Sequence, residues 1–267
     1  MRFGVCAGPE DAGILRAAGY DYIELGVNSH LSPLRPEQDV MPQLLAALDA
    51  SGLQSEAFNV MLPGELKVVG PDTAIDLPKQ SAYLAAAFSR AARAGGKIVV
   101  FGSGGARRVP DGFPRERAED QIVGFLKRAG EEAGKYAITI AVEPLNISEC
   151  NILNSVSETM ETVGRVGHPH VRALSDLYHV AHDGQPYLET AAAGAALAHV
   201  HVAGQRDRKA PQRGDEAYLA EYFRAVRQAG YGARVSIEAG WDDLATDAGA
   251  ALAVMRAAWE SSARPSA

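Results

Sequence analysis

Short apolar runs rich in β-branched residues alternate with helix-like segments along almost the whole chain, at a spacing of roughly 30 residues. The strand-like runs are RFGVC (2–6), YDYIELG (20–26), LQSEAFN (53–59), KIVVFG (97–102), AITIAVE (137–143), VRALSD (171–176), AHVHVA (198–203) and RVSIEAG (234–240). Helical periodicity predicts helices over 41–52, 81–96, 117–134, 155–167, 218–230 and 243–262. Because parallel strands need long crossover connections, usually helices, this alternation predicts a parallel sheet.

The number of strand–helix units predicts how that sheet closes. Eight units in 267 residues predict an α/β fold of the (β/α)8 TIM barrel type, with a single domain over residues 1–262. The ending ARPSA (263–267) is predicted to be a disordered tail. The main alternative is an open doubly wound sheet, which has a glycine-rich nucleotide-binding turn after its first strand. The segment GVCAGPEDAG (4–13) lacks the glycine spacing of that turn, which favours the barrel.

Composition limits the class of protein and the role of any metal. With 47% hydrophobic residues, a chain of 267 residues can bury enough apolar surface to fold without a metal. Any bound metal would therefore have a catalytic role and would not be needed for folding. The net charge of −7 argues against a nucleic-acid partner, which would require a basic face. Two distant cysteines, Cys6 and Cys150, indicate a reducing compartment. With no secretory signal and no membrane-length apolar run, we expect a cytoplasmic location and no membrane partner.

Four potential metal ligands lie at the C-terminal ends of successive predicted strands in the second half of the chain. They are Glu143, Asp176, His201 and Glu238. In a barrel the carboxyl ends of the strands meet at one mouth, so these side chains are expected to converge there. Three carboxylates in one pocket repel one another unless a cation neutralises them. The mixed oxygen and nitrogen set predicts one divalent ion, with Mn²⁺ favoured and Mg²⁺, Co²⁺ or Zn²⁺ as alternatives.

Four segments carry a resemblance to a known family: VEPLN (142–146), SDLYH (175–179), HVHVAG (199–204) and SIEAG (236–240). They resemble the xylose isomerase-like barrel superfamily, and most of all its sugar isomerase/epimerase branch, of the D-tagatose 3-epimerase type. The resemblance implies that the four strand-end residues bind the metal and that Glu143 and Glu238 are also the acid/base pair.

The same resemblance implies a set of substrate-binding residues, namely His179, Glu149 and Arg208. Arg208 opens the segment RKAPQRGD (208–215), which departs from the family pattern. The spacing from His201 to Arg208 is one residue longer than is usual in the family, and Gln212 stands where the family segment has its first glycine. Arg206 is therefore a competing candidate.

The implied activity is isomerisation or epimerisation of a ketose or keto-sugar through a cis-enediolate. A cation stabilises the charge of the enediolate, while one carboxylate removes a proton and the other returns it. Return at the same carbon from the opposite face epimerises it, and return at the adjacent carbon interconverts aldose and ketose. The partner would be a small carbohydrate. Whether the chain self-associates remains open, although helical faces on such barrels often pair.

Two other functions of the same superfamily remain as alternatives. A lyase or dehydratase, of the inosose dehydratase or C-glycoside-cleaving type, would begin with the same deprotonation and then expel a leaving group. An apurinic-site endonuclease would need three metals and further histidines. It is disfavoured because the third and fourth strands end in Phe58–Asn59 and Phe101–Gly102.

The first four strands are expected to shape substrate choice. Candidates at the mouth are Glu24, Asn59 and Phe101, with Trp241 as a wall or cover and Cys6 as a small buried residue. The glycine-rich segment FGSGGARR (101–108) is the one weak candidate for binding phosphate.

Overall fold

Eight parallel strands form a closed barrel in which each strand pairs with its neighbour in sequence and the eighth pairs with the first. A computed structural model describes residues 1–263, so most of the predicted tail, residues 264–267, lies outside the described residues. The strands are β1 (Arg2–Cys6), β2 (Tyr22–Gly26), β3 (Ser55–Asn59), β4 (Ile98–Phe101), β5 (Thr139–Val142), β6 (Val171–Asp176), β7 (Leu197–Val202) and β8 (Arg234–Ile237). The predicted (β/α)8 barrel is confirmed.

The helices surround the barrel. They are α1 (Ala12–Ala18), α2 (Met41–Ser51), α3 (Leu77–Arg93), α4 (Gly104–Arg107), α5 (Arg115–Gly134), α6 (Val156–Val166), α7 (Leu177–His182), α8 (Leu188–Ala192), α9 (Glu216–Gln228) and α10 (Leu244–Ser261). Local sequence accounts for several ends. Ser155 caps α6 by accepting a hydrogen bond from the Glu158 backbone at 3.0 Å, and Gly167 ends it with φ +61°. None of these helices, within the described residues, is long and apolar enough to cross a membrane.

Two separate apolar clusters account for the core. The larger lies between the sheet and the helices. The smaller contains Tyr22, Ala57, Ile98, Val100, Ala141, Leu174 and Ala198. Because side chains alternate along a strand, these residues face the barrel interior and fill it, as in other barrels of this type. The polar residues therefore collect above this layer, at the carboxyl ends of the strands.

The sequence prediction missed the short helices that follow some strands. One of them, α7, begins directly after β6 because the Asp176 side chain accepts a hydrogen bond from the Tyr178 backbone at 2.7 Å. This capping bond also fixes the orientation of the Asp176 carboxylate. A run of six helical residues is too short to show a hydrophobic period.

Candidate active site

The carboxyl ends of the strands bring the predicted acidic residues together. Glu143 directly follows β5, Asp176 ends β6 and Glu238 directly follows β8. Each offers an oxygen within 4.8 Å of the others, and His179 offers a nitrogen within the same distance. His201, on β7, places Nδ1 3.1 Å from Glu143 Oε1 and 3.5 Å from Glu238 Oε2. All four strand-end residues thus face one small volume.

The carboxylates in this volume have different electrostatic surroundings. Burial raises the pKa of Asp176 to about 6. Burial, together with the charge of Glu238, also raises the pKa of Glu143. Burial acts in the same direction on Glu238, but His201 and Arg208 outweigh it and hold its pKa at about 2. Before any cation binds, Glu238 thus gives up its proton more readily than Glu143.

Hydrogen bonds from Asn146 fix the tautomer of the neutral His179 ring. The Asn146 Oδ1 atom accepts from the backbone N–H groups of Ser148 and Glu149, both at 3.1 Å, so its amide nitrogen must face the other way. That nitrogen and the Asn146 backbone N–H both donate to His179 Nδ1, at 2.9 and 3.2 Å. Since Nδ1 accepts two hydrogen bonds, the proton of the neutral ring is on Nε2. His179 Nε2 is therefore a donor directed into the site and cannot bind a metal in this tautomer.

The donor set fits a divalent ion. Asp176 Oδ2 and His179 Nε2 are buried without a hydrogen-bond partner in the described part of the chain. Buried polar atoms rarely lack partners, and a buried carboxylate oxygen among other carboxylates needs a cation or a proton. Carboxylate oxygens of Glu143, Asp176 and Glu238, with Nδ1 of His201, are a ligand set that suits Mn²⁺, Mg²⁺, Co²⁺ or Zn²⁺.

The structure brings Arg208, and not Arg206, to the site. Arg208 donates to Glu238 Oε2 at 2.7 Å and to Glu149 Oε1 at 3.2 Å. Its guanidinium carbon also lies 4.5 Å from the centre of the Tyr178 ring, whereas Arg206 is exposed. The backbone at Asp207 and Arg208 has φ of 52° and 50°, which costs energy for residues other than glycine.

A buried arginine that sequence reasoning did not select supports the strand ends. Arg107 is fully buried and donates from its two terminal nitrogens to the Phe101 carbonyl at 2.9 Å and the Glu143 carbonyl at 2.7 Å. Burial lowers its pKa. In the segment FGSGGARR, Arg107 therefore has a structural role, because its guanidinium group already donates to carbonyls at the strand ends. The neighbouring Gly102 leaves room for the Glu143 carboxylate.

The remaining mouth candidates occupy different positions. Asn59 donates to Glu238 Oε1 at 3.4 Å, and Trp241 is partly exposed near the end of β8. Phe101 is buried against Phe125, with ring centres 5.4 Å apart, so it packs in the core rather than lining the mouth. Cys6 is partly exposed, and its sulfur lies near Glu24 and His201.

Glu24 does not line the mouth either, because it is fully buried beneath His201. It accepts hydrogen bonds from His201 and from His199, the other histidine of β7. Burial by itself would raise the pKa of Glu24, but the two imidazoles hold it well below its usual range. The carboxylate is thus charged inside the barrel. Sequence spacing could not show this, because the contacts join β2 and β7 across the barrel.

Comparison of the sequence with profiles of known families identifies the family of this chain. The profile of the xylose isomerase-like TIM barrel matches residues 13–258. The chain belongs to this family. Among proteins of curated function, none matches the chain significantly.

Solved structures of similar architecture include several sugar epimerases. A D-psicose 3-epimerase determined in the presence of D-fructose has a TM-score of 0.83 at 18% identity, over 97% of this chain and 99% of that one. D-allulose 3-epimerase from Methylomonas sp., in complex with D-allulose, gives 0.80 at 22% identity, over 96% of each chain. The IOLI protein with a bound zinc atom gives 0.68 at 16% identity, over 98% of each. At these identities the likeness shows a shared fold.

Proposed function

We propose that this protein is a divalent-metal-dependent isomerase or epimerase that acts on a ketose or keto-sugar by proton transfer. The observation that carries the proposal is the meeting of Glu143 and Glu238 at His201 Nδ1, with Asp176 beside them. Two carboxylates with different electrostatic surroundings are the arrangement that a proton-transfer pair requires. The solved 3-epimerases with this fold support the choice of sugar substrates.

The metal would be held by Glu143, Asp176, His201 and Glu238. Bound there, a divalent ion supplies charge stabilisation for the oxygens of an enediolate. His179 is assigned to the substrate instead, because its Nε2 carries a proton. A zinc atom in a structure of the same fold supports a metal in this family, although the donor set here also suits Mn²⁺.

Proton transfer is assigned to the two glutamates. Glu238 is ionised and 20% exposed, so it is suited to take a proton from a carbon next to the carbonyl. Glu143, which is 6% exposed and has a raised pKa, is suited to return a proton. In the reverse direction the two roles exchange. If the glutamates address opposite faces of the sugar, the product is the epimer.

The substrate is held by groups at the rim of the pocket. His179 Nε2–H and the Arg208 guanidinium are donors to substrate oxygens, and Glu149 accepts from hydroxyl groups. Arg208 contacts Glu149, Glu238 and the Tyr178 ring at once, so it can orient the sugar relative to the base. Tyr178 offers an aromatic face at the same place.

The test is proton exchange in deuterated water with a panel of ketohexoses, ketopentoses and oxidised glycosides. Metal-loaded protein should introduce deuterium at C3 of a ketose with formation of the epimer, and the Glu143→Gln variant serves as the inactive control. Deuterium at C1 of the ketose and at C2 of an aldose product would identify the aldose–ketose isomerase. Loss of water or of an aglycone would identify the lyase, and no exchange with any substrate would overturn the proton-transfer proposal.

A further inference from the structure

Three hydrogen bonds converge on one buried carboxylate directly below the candidate metal site. Glu24 Oε1 is 3.0 Å from His201 Nε2, and Glu24 Oε2 is 2.8 Å from His199 Nε2 and 2.5 Å from Ser236 Oγ. Glu24, His199, His201 and Ser236 are all fully buried. Burial of a charged carboxylate costs free energy, and the three hydrogen bonds that Glu24 accepts offset that cost.

The direction of each hydrogen bond follows from the chemistry of its partners. Because an ionised carboxylate only accepts, His201 Nε2, His199 Nε2 and Ser236 Oγ must all donate to Glu24. Ser236 has one hydroxyl proton, so its contact of 2.7 Å with Tyr22 must be donated by the tyrosine. With Glu24 ionised, the network is thus an ordered chain of hydrogen bonds from Tyr22 through Ser236 to Glu24.

The bond to Glu24 decides which nitrogen of His201 can bind a cation. With the proton held on Nε2, the lone pair of the neutral ring is on Nδ1. Nδ1 is the nitrogen that lies 3.1 Å from Glu143 and 3.5 Å from Glu238. Metal-binding histidines commonly donate their second N–H to a carboxylate in this way, which fixes ring orientation and increases ligand basicity.

We propose that Glu24 is a positioning residue that holds His201 in the tautomer and orientation needed to bind the metal through Nδ1. It acts through His201 and does not touch the substrate. This inference rests on the proposed metal site, but it is independent of which sugar is converted. If Nε2 were the ligand atom, a separate metal site made of Cys6, Glu24 and His201 would require that nitrogen to lose the proton that it donates to Glu24.

The first experiment measures metal binding without reference to turnover. Metal-free wild-type protein and the Glu24→Gln variant are titrated with Mn²⁺ by calorimetry and with Co²⁺ by visible absorption. Glutamine keeps the shape of the side chain but removes the charge. The variant should bind each ion about 10- to 100-fold more weakly, as expected for loss of a carboxylate behind a metal-binding histidine. Equal affinities for both proteins would overturn the proposal.

Glu56→Gln provides a matched control. Glu56 is also a glutamate on a barrel strand, largely buried, and it pairs with Arg234 at 2.6 Å away from the site. If loss of any strand glutamate weakened metal binding equally, the effect would be general destabilisation and the proposal would fail. Circular dichroism and the melting temperature of each metal-free variant identify loss of folding.

A measurement on the wild-type protein tests the same point if Glu24→Gln does not fold. In protein labelled with ¹⁵N-histidine and loaded with Zn²⁺, His201 should retain a proton on Nε2 and have none on Nδ1. A proton on Nδ1 would contradict the proposal. Failure of the proposed function would look different, because metal binding and the histidine tautomer would be as described while no sugar exchanged its proton.

Discussion

Gly102 and Glu143 approach each other so closely that a Cβ atom on Gly102 would lie 1.7 Å from Glu143 Oε2. The absence of a side chain at the end of β4 therefore makes room for a carboxylate that extends from the end of β5. Arg107 stabilises the same junction by binding the carbonyls of Phe101 and Glu143. The position of Glu143 thus depends on the absence of a side chain at Gly102 and on the buried guanidinium group of Arg107.

Replacement of Gly102 by alanine should move the Glu143 carboxylate while leaving the barrel intact. The atom in closest approach is the end of a flexible side chain, so the side chain can shift at little cost to the backbone. We expect kcat/KM to fall at least about 100-fold, since displacement of a reacting group by about 1 Å has effects of this size. Gly164→Ala is the control, because a Cβ there meets nothing within 4 Å. Unchanged activity in Gly102→Ala would contradict the assigned role of Glu143.

Glu143→Gln and Glu238→Gln should each remove proton transfer while largely retaining the metal. An amide oxygen can still bind a cation, but an amide cannot serve as a general acid or base at neutral pH. Turnover and deuterium incorporation should each decrease by about 100-fold or more, the usual contribution of general acid–base catalysis. Metal content measured after dialysis should stay near the wild-type value. A fully active double variant would rule out the mechanism.

Asp176→Asn should stabilise the metal-free protein at pH 7. The pKa of Asp176 is raised from 3.8 to about 6, so the folded state binds its proton more tightly than the unfolded state. This contribution to stability is fully present below pH 3.8 and is lost as pH rises through about 6. The uncharged amide of the Asn variant does not lose this stability at pH 7. We therefore expect its free energy of unfolding at pH 7 to exceed that of the wild type by about 1–3 kcal/mol. Denaturant titrations at pH 4 and pH 7 measure it, and a destabilised variant at pH 7 would contradict the argument.

Metal affinity should increase with pH through the same range. Binding must displace protons from Asp176 and from His201, because Glu24 and Glu238 outweigh burial and raise the pKa of His201 well above its ordinary value. Below pH 6 the apparent affinity should rise by about tenfold or more per pH unit. Calorimetry in buffers of different ionisation enthalpy counts the protons released. An affinity independent of pH would mean that these groups are not ligands.

Arg208→Lys and Arg206→Lys should separate the two arginine candidates. Lysine keeps the charge but cannot contact Glu149, Glu238 and the Tyr178 ring together. Arg208→Lys should therefore raise KM and lower kcat, with a combined effect of about 10- to 100-fold in kcat/KM. Arg206→Lys should match the wild type, because Arg206 is exposed. The opposite result would reassign the substrate-binding role to Arg206.

Much of the architecture follows from the sequence, because strand and helix periods are local properties of the chain. The alternation of apolar runs and helical segments predicted eight strands and a barrel, and the strands lie within a few residues of their predicted limits. That alternation also placed Glu143, Asp176, His201 and Glu238 at the strand ends, where parallel topology brings them together.

What only the tertiary structure decided is the set of contacts made across the barrel. Glu24 and His201 are far apart in the chain and on strands that are not neighbours, so no spacing rule relates them. Asn146 lies in the loop after β5 and His179 lies in α7, and the hydrogen bonds between them, which assign the histidine proton, depend on how these two segments meet in the fold. Burial determines the rest, since it is the close packing of charged groups, invisible in sequence, that separates the ionisation of Glu143 from that of Glu238.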